Sequence, residues 1–361
     1  MTHPLVETPA NPIPQDARVD TLALKDGKQL RYAIFPATTH PVQGTVIILQ
    51  GRNECIEKYF ETIRDIAKRG FTVATFDWRG QGGSSRVLRD PNRGHVRNFN
   101  QYAADLEQLF ESVLLPDCRA PFYVLGHSTG ALAALLAAPA LANRIRRMVL
   151  LTPLLDVNGS RLGKILLGGV ANTLRSTGFG RLYMRGGKPL IKPFAINEVT
   201  SDAARYLRNS EILKSAPELA VGGPTAGWIA AAAKAIKRVT RPEFVEAIRI
   251  PTLVIAAGAD RVVSTSAIER FALQMRNATL ITIDGSKHEI LQEKISTANS
   301  FSRHSMLLSP GQAARWRRSK ATTRFRQPVS GSEAPALAHA VPLNLLQQYH
   351  QPLPLGHPAN W

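Results

Sequence analysis

The sequence predicts a doubly wound, mostly parallel α/β sheet that carries a helical lid insertion. Short β-branched runs alternate along the chain with longer segments of helical periodicity, the arrangement that lays helices on both faces of a parallel sheet. One of these runs, TVIIL at Thr45–Leu49, is continuously apolar, as expected of a strand covered on both sides. The rhythm breaks once, from about residue 155 to 245, in a stretch rich in Gly, Ala and basic residues with helical patches and no strand run.

The elements follow in order. A Pro-rich start (1–18) reads as loose. Thr21–Leu24 and Leu30–Phe35 flank Asp26-Gly27, a hairpin turn signal. After the TVIIL strand, Ile56, Tyr59, Phe60, Ile63, Ile66 and Ala67 share one helical face, and Gly70 stops that helix. Phe71–Phe76 is the next strand. Phe99, Tyr102, Leu106, Leu109, Phe110 and Val113 repeat at helical spacing. Phe122–Leu125, Met148–Leu151, Thr252–Ala256 and Thr279–Ile283 complete the strands. The core therefore occupies 19–154 and 246–294, with the lid at 155–245 placed over the C-terminal strand ends, where such sheets bind ligands.

From 295 to 361 the pattern collapses into Ser, Pro, Arg and Gln without periodicity. We read this tail as the product of a shifted reading frame. Read one base earlier, the codons of Ile295–Pro310 accommodate an aromatic stripe of helical spacing. The competing reading is a lineage-specific disordered extension.

Composition bounds the function. The chain has 361 residues, 44% of them hydrophobic, enough for a sizeable core. Lys and Arg number 45 against 27 Asp and Glu, a formal charge of +18, of which the tail supplies +6. A basic excess suits polyanions, but the bases are scattered and no helix-turn-helix, zinc-finger or RNA-binding signature accompanies them. No nucleic acid partner is expected, and a basic solvated surface is the simpler reading. Cys55 and Cys118 cannot build a disulfide framework, and no Cys/His cluster has zinc spacing. The N-terminus lacks a basic segment followed by an apolar one, and the apolar run Ala131–Ala142 is interrupted by Pro139. A cytoplasmic protein, at most peripheral to a membrane, is expected.

The sharpest chemical signal is Gly126-His127-Ser128-Thr129-Gly130. A G-x-S-x-G match alone arises by chance in roughly one such chain in ten, so context must decide. Here a strand precedes it and an Ala/Leu helix follows it, the strand–turn–helix setting of a nucleophile elbow. The helix N-terminus then offers N–H groups and positive dipole to a developing oxyanion. A serine hydroxyl needs a base, and the base must be held in one tautomer by an acid. Asp260 follows the strand Thr252–Ala256, and His288 follows Thr279–Ile283. Asp156 and Asp284 are rivals for the acid, and His95 and His127 are further histidines, though neither follows a late strand. A second oxyanion donor is expected from the loop Gln50–Glu54, which gives the backbone N–H groups of Arg52 and Thr129 that role. The Arg52 side chain reads as a solvated cation.

Taken together, QGRNECIEKYFE, FDWRGQGGSSR, the GHVRNF stretch from Gly94, GHSTG, GADRVVS and GSKHEIL resemble the lysophospholipase and monoacylglycerol-lipase branch of the α/β-hydrolases, also grouped with serine aminopeptidase-like hydrolases. The resemblance runs from Leu22 to Lys294. It departs from the pattern at Gln50, where many members have His or Pro, and after Lys294. It implies Ser128 as nucleophile, Asp260 as acid, His288 as base, and Arg52 with Thr129 as oxyanion donors. It also implies a carboxylic-ester hydrolase acting on a small lipid or ester substrate, foremost a lysophospholipase. The acyl-enzyme chemistry of such a serine implies neither a metal nor an organic cofactor. The alternatives are a monoacylglycerol lipase, a general short-chain esterase, or a hydrolase-fold binding protein that has lost turnover. Mixed apolar and basic lid segments, Gly163–Leu167 and Lys188–Phe194, suit an acyl chain, an anionic headgroup and peripheral contact with an anionic membrane. Oligomeric state stays open.

Overall fold

The computed structural model describes residues 3–294, so the 295–361 tail and its frame-shift reading lie outside the described residues. Eight strands form one sheet: β1 (Arg18–Ala23), β2 (Gln29–Phe35), β3 (Gly44–Leu49), β4 (Phe71–Phe76), β5 (Phe122–His127), β6 (Ile145–Leu151), β7 (Thr252–Ala257) and β8 (Ala278–Ile283). Their order is β1-β2-β4-β3-β5-β6-β7-β8. The β1–β2 and β2–β4 pairs are antiparallel, and all pairs from β4 to β8 are parallel. The chain leaves β3 toward β4 on one side and returns to β5 on the other. That reversal opens a crevice at the C-terminal ends of β3 and β5, where open α/β sheets place their ligands.

The helices are α1 (Phe60–Ala67), α2 (Asn100–Leu109), α3 (Leu115–Asp117), α4 (Thr129–Ala137), α5 (Arg161–Ser176), α6 (Ala203–Ser215), α7 (Ala226–Val239), α8 (Pro242–Ala247) and α9 (Thr265–Gln274). A π turn at Phe110–Leu114 joins α2 to α3 without a break. Strand alternation divides the core. Ile47 and Leu49 of β3 face a cluster built with α2, α4, α7 and α9, while Val46 and Ile48 face α1 on the other side. Helices α5 to α8 all lie between β6 and β7.

Residues 3–17 are held rather than loose. The Pro4 carbonyl accepts from Arg31 Nη1 at 3.1 Å, Val6 N–H donates to Glu57 at 3.2 Å, and Leu5, Ile13 and Ala17 pack on the α1 face. Beneath them lies an ion cluster of no solvent exposure. Arg31 Nε donates to Asp77 at 2.7 Å, and Nη1 and Nη2 donate to the two Glu57 oxygens at 2.8 and 2.9 Å. Asp77 also accepts the backbone N–H groups of Ile56 and Gly83. Several donors on each carboxylate are what make these buried charges tolerable. Gly82, at φ +54°, follows from it, because a Cβ there would overlap the Asp77 carboxylate. Asp77, Gly82 and Gly83 of the FDWRGQGGSSR motif are therefore scaffold.

Candidate active site

Ser128 stands at the end of β5 with φ 50° and ψ −110°, a conformation that non-glycine residues adopt only under constraint. The constraint is visible in the flanking glycines. A Cβ at Gly126 would lie 2.9 Å from the Ala131 Cα, and one at Gly130 would overlap the carbonyl oxygens of Leu49 and Gln50. The elbow is thus pressed against the end of β3. Backbone bonds fix it further: Ser128 N–H donates to Leu151 O at 3.0 Å, and its carbonyl accepts from Leu154 N–H at 3.1 Å.

The structure brings Ser128, His288 and Asp260 together. His288 Nδ1 lies 2.8 Å from Asp260 Oδ2, and since a carboxylate only accepts, Nδ1–H donates. Nε2 then offers its lone pair to the Ser128 hydroxyl at 3.0 Å. The other Asp260 oxygen accepts the backbone N–H groups of Val262 and Val263 at 2.7 and 2.9 Å. The rival acids are elsewhere: Asp156 pairs with Lys164 at 2.5 Å, and Asp284 lies beside Gly258. Among the described residues, no acceptor is bonded to the backbone N–H of Arg52 or of Thr129. Gly51, next to Arg52, sits so close to the elbow that a Cβ there would be 2.8 Å from His127 Nδ1.

The Arg52 side chain departs from expectation. Its guanidinium lies over the Trp228 ring at 5.2 Å, Nη2 donates to Gly222 O at 2.6 Å, and Nε is buried without a partner. Burial pulls its pKa down to about 10. It has no carboxylate partner among the described residues.

Sequence reasoning missed the charged layer beneath the triad. Glu54 accepts from Tyr59 Oη at 2.6 Å, from Lys58 Nζ at 2.7 Å and from the backbone N–H of Gly51. His127 Nδ1 is 3.3 Å from the same carboxylate, and its Nε2 is 3.3 Å from the backbone oxygen of His288. Lys58 also pairs with Glu289 at 2.7 Å. Both His127 neighbours are acceptors, so only the imidazolium satisfies both. Burial opposes that charge, but Glu54 outweighs it and raises the His127 pKa. Burial likewise opposes the Glu54 charge, and Lys58 with His127 hold its carboxyl well below the usual range. The layer ties three loops together: the one after β3, the elbow, and the one carrying His288. A Glu and a Lys flanking a buried helical face were the available signal.

The His288 loop is also stapled to the segment before α6. Glu289 N–H donates to Val199 O at 2.8 Å, Thr200 Oγ1 donates to Gln292 O at 2.5 Å, and Ser201 donates to the Glu293 carboxylate. Lys287 Nζ reaches the carbonyls of Asn197 and Thr200 at 3.2 Å each.

Residues 40–295 match the family described as serine aminopeptidase, S33. The chain is 32% identical over 279 residues to lysophospholipase L2 of Escherichia coli K12, covering 74% of this chain and 80% of that protein. It is 30% identical over 265 residues to a probable lysophospholipase L2 of Haemophilus influenzae, covering 73% and 82%. Among solved structures, a soluble variant of the Saccharomyces cerevisiae monoglyceride lipase superposes with a TM-score of 0.62 at 18% identity, covering 81% of this chain and 94% of that one. The Paleococcus ferrophilus monoacylglycerol lipase gives 0.60 at 20% identity, covering 77% and 97%. At such identities the likeness of structure concerns the fold alone.

Proposed function

The chain belongs to the serine aminopeptidase S33 family, and within it we propose that the protein is a serine carboxylic-ester hydrolase of lysophospholipase type, with Ser128, His288 and Asp260 as its triad. His288 takes the Ser128 proton as Oγ attacks the ester carbonyl, and Asp260 stabilises the imidazolium that results. The tetrahedral oxyanion rests on the backbone N–H groups of Arg52 and Thr129, neither of which has another acceptor among the described residues. His288 then protonates the leaving alcohol, and water repeats the cycle on the acyl-enzyme. The observation that carries this reading is the continuous chain Ser128 Oγ, His288, Asp260 at 3.0 and 2.8 Å.

The substrate class is supported by the lysophospholipase relatives and by charge. A guanidinium at Arg52 with no carboxylate partner among the described residues suits a substrate that brings a phosphate, which a monoacylglycerol does not. We assign α5 to α8 the role of a lid facing lipid. Between residues 157 and 197 there are seven Lys or Arg and no Asp or Glu. Leu162, Ile165, Leu166 and Val170 stand 50–66% exposed along one side of α5. An exposed apolar stripe among cations fits the surface of an anionic bilayer, and no described helix is long and apolar enough to cross one.

Fluorophosphonate labelling tests the chemistry. The probe should modify the parent and leave Ser128→Ala unmodified, and labelling elsewhere would remove the mechanism. Relative kcat/KM on lysophospholipids, monoacylglycerols and p-nitrophenyl esters then sorts the substrate classes. Sedimentation with phosphatidylglycerol vesicles, set against phosphatidylcholine alone, tests the lipid surface.

A further inference from the structure

A second positively charged feature lies apart from the triad residues, at the seam between the core and α5–α7. The connection from β4 to α2 supplies His95 and Arg97, the last turn of α5 supplies Arg175, the turn after it supplies Gly180 and Arg181, and the first turn of α7 supplies Gly227. These residues line a cavity of about 220 Å³. We propose that this cavity is a binding site for a phosphate group, carried either by a phospholipid headgroup or by free phosphate.

The side chains in the lining are those of His95, Arg97, Arg175 and Arg181, and none is acidic. None of Arg97, Arg175 and Arg181 makes an ion pair or a side-chain hydrogen bond among the described residues, and no carboxylate lines the cavity. His95 is more than nine-tenths buried, with Nδ1 2.8 Å from Thr225 Oγ1. Thr225 caps α7 by accepting the Trp228 N–H at 3.2 Å, so its own hydroxyl hydrogen is available to Nδ1. The imidazole is then left with its proton on Nε2, which has no protein partner among the described residues. Burial, followed by the charges of Arg181, Arg97 and Arg175, pushes the His95 pKa down to about 4. The group facing His95 from the start of α7 is the neutral Thr225, and among the described residues the charges that act on His95 are the three arginines, with no acid to offset them.

Guanidinium forks match the paired oxygens of a phosphate, and donors without competing acceptors select an anion over a neutral polyol. Size agrees. Clefts that enclose whole drug-sized ligands run to about 300–1,000 Å³, so this cavity suits a small anion with a few waters. Gly227 is part of the fit, since a Cβ there would lie 2.6 Å from His95 Cε1 and 3.0 Å from Gly180 O. Phe179 and Leu182, on either side of Gly180 and Arg181, stand 58% and 44% exposed, so the cavity adjoins the apolar and basic face described above.

The site does not rest on hydrolysis, and the test uses full-length Ser128→Ala protein so that turnover plays no part. Calorimetric titrations with inorganic phosphate, glycerol 3-phosphate and glycerophosphocholine are compared at fixed ionic strength, with chloride as control. Saturable binding that Arg175→Gln and Arg181→Gln each weaken about tenfold or more is expected, because each removes a charged donor from a surface side chain. Phosphate should also raise the His95 pKa in a histidine NMR titration, since a bound anion offsets the three arginines. Preference for either glycerol ester supports a lipid headgroup, and equal affinity for inorganic phosphate supports the free ion. Absence of saturable binding, or binding that chloride reproduces and the Gln variants retain, overturns the proposal.

Discussion

Glu54→Gln is the most informative single change, because it keeps the side chain's shape and removes the charge at the centre of the layer beneath the triad. Four donors converge on this 4%-exposed carboxylate: Gly51 N–H, Tyr59 Oη, Lys58 Nζ and His127 Nδ1. The amide nitrogen of Gln would confront at least one of them with a second donor. Breaking a buried ion pair costs about 3–5 kcal/mol, and the lower figure applies because Lys58 keeps Glu289 at 2.7 Å. At about 2–4 °C per kcal/mol for a domain of this size, the melting temperature should fall by about 6–12 °C. Turnover of a p-nitrophenyl ester should fall with it by about 10–100-fold, since the Gly51 tie positions the loop that carries the Arg52 N–H.

The pH dependence supplies a signature. The folded Glu54 pKa lies below its unfolded value of about 4.3, so its stabilisation is full above that value and is lost as pH falls through the folded pKa. The folded His127 pKa lies above its unfolded value of about 6.5, so its stabilisation is full below that value and is lost as pH rises through the folded pKa. The parent-minus-variant difference in melting temperature should therefore be largest between about pH 4.5 and 6.5 and should narrow toward alkaline pH. Melts by circular dichroism across pH 4–9 measure it. A difference under 2 °C at pH 5.5, or one that widens above pH 7, would refute the reasoning.

Three further outcomes are expected. Asp260→Asn should lower kcat by about 10⁴ with little change in the melt, because the His288 tautomer is lost while the loop is kept; a steady-state assay with an intact melt checks it. Gly130→Ala should prevent native folding by driving a Cβ into two carbonyl oxygens. By contrast, Gly168→Ala, with nothing within 4 Å, should stabilise α5 by about 0.5–1 kcal/mol, and paired thermal melts compare the two. If α5 to α8 shape an acyl tunnel, kcat/KM should rise about fourfold per added CH₂ until the tunnel is full; a flat series of p-nitrophenyl esters would remove the lipid preference and leave a general esterase.

The central strands were legible because they are apolar runs buried on both faces. Where polar residues begin a strand the reading starts late: β6 opens at Ile145, ahead of Arg146 and Arg147, and not at Met148. The π turn at Phe110–Leu114 left no mark, since one extra residue per turn only rotates an already broad stripe. The residues Ser128, Asp260 and His288 were legible because each follows a strand that parallel pairing carries to the same edge. The clusters around Arg31 and Glu54 were not. In a linear reading, Glu54, Glu57, Lys58 and Asp77 look like solvated charges; Glu54 and Lys58 are only four residues apart, but the fold alone brings Arg31 to Glu57, Asp77 to Ile56, His127 to Glu54 and Glu289 to Lys58.

The staples between residues 197–205 and the loop after β8 bear on how such a protein can change over time. Insertions between β6 and β7 look like exchangeable cassettes, free to be traded for a new specificity. Here the cassette donates to or accepts from Lys287, Glu289, Gln292 and Glu293, on both sides of His288. Arg205 adds a bond to the Glu293 carbonyl at 2.8 Å and a pair with Glu61 on α1. A graft that replaced everything from α5 to α8 would take these bonds to the histidine's loop with it. The tradable unit is therefore smaller than the insertion: α5 and the turns that follow it are open to replacement, while residues 197–205 are inherited with the core.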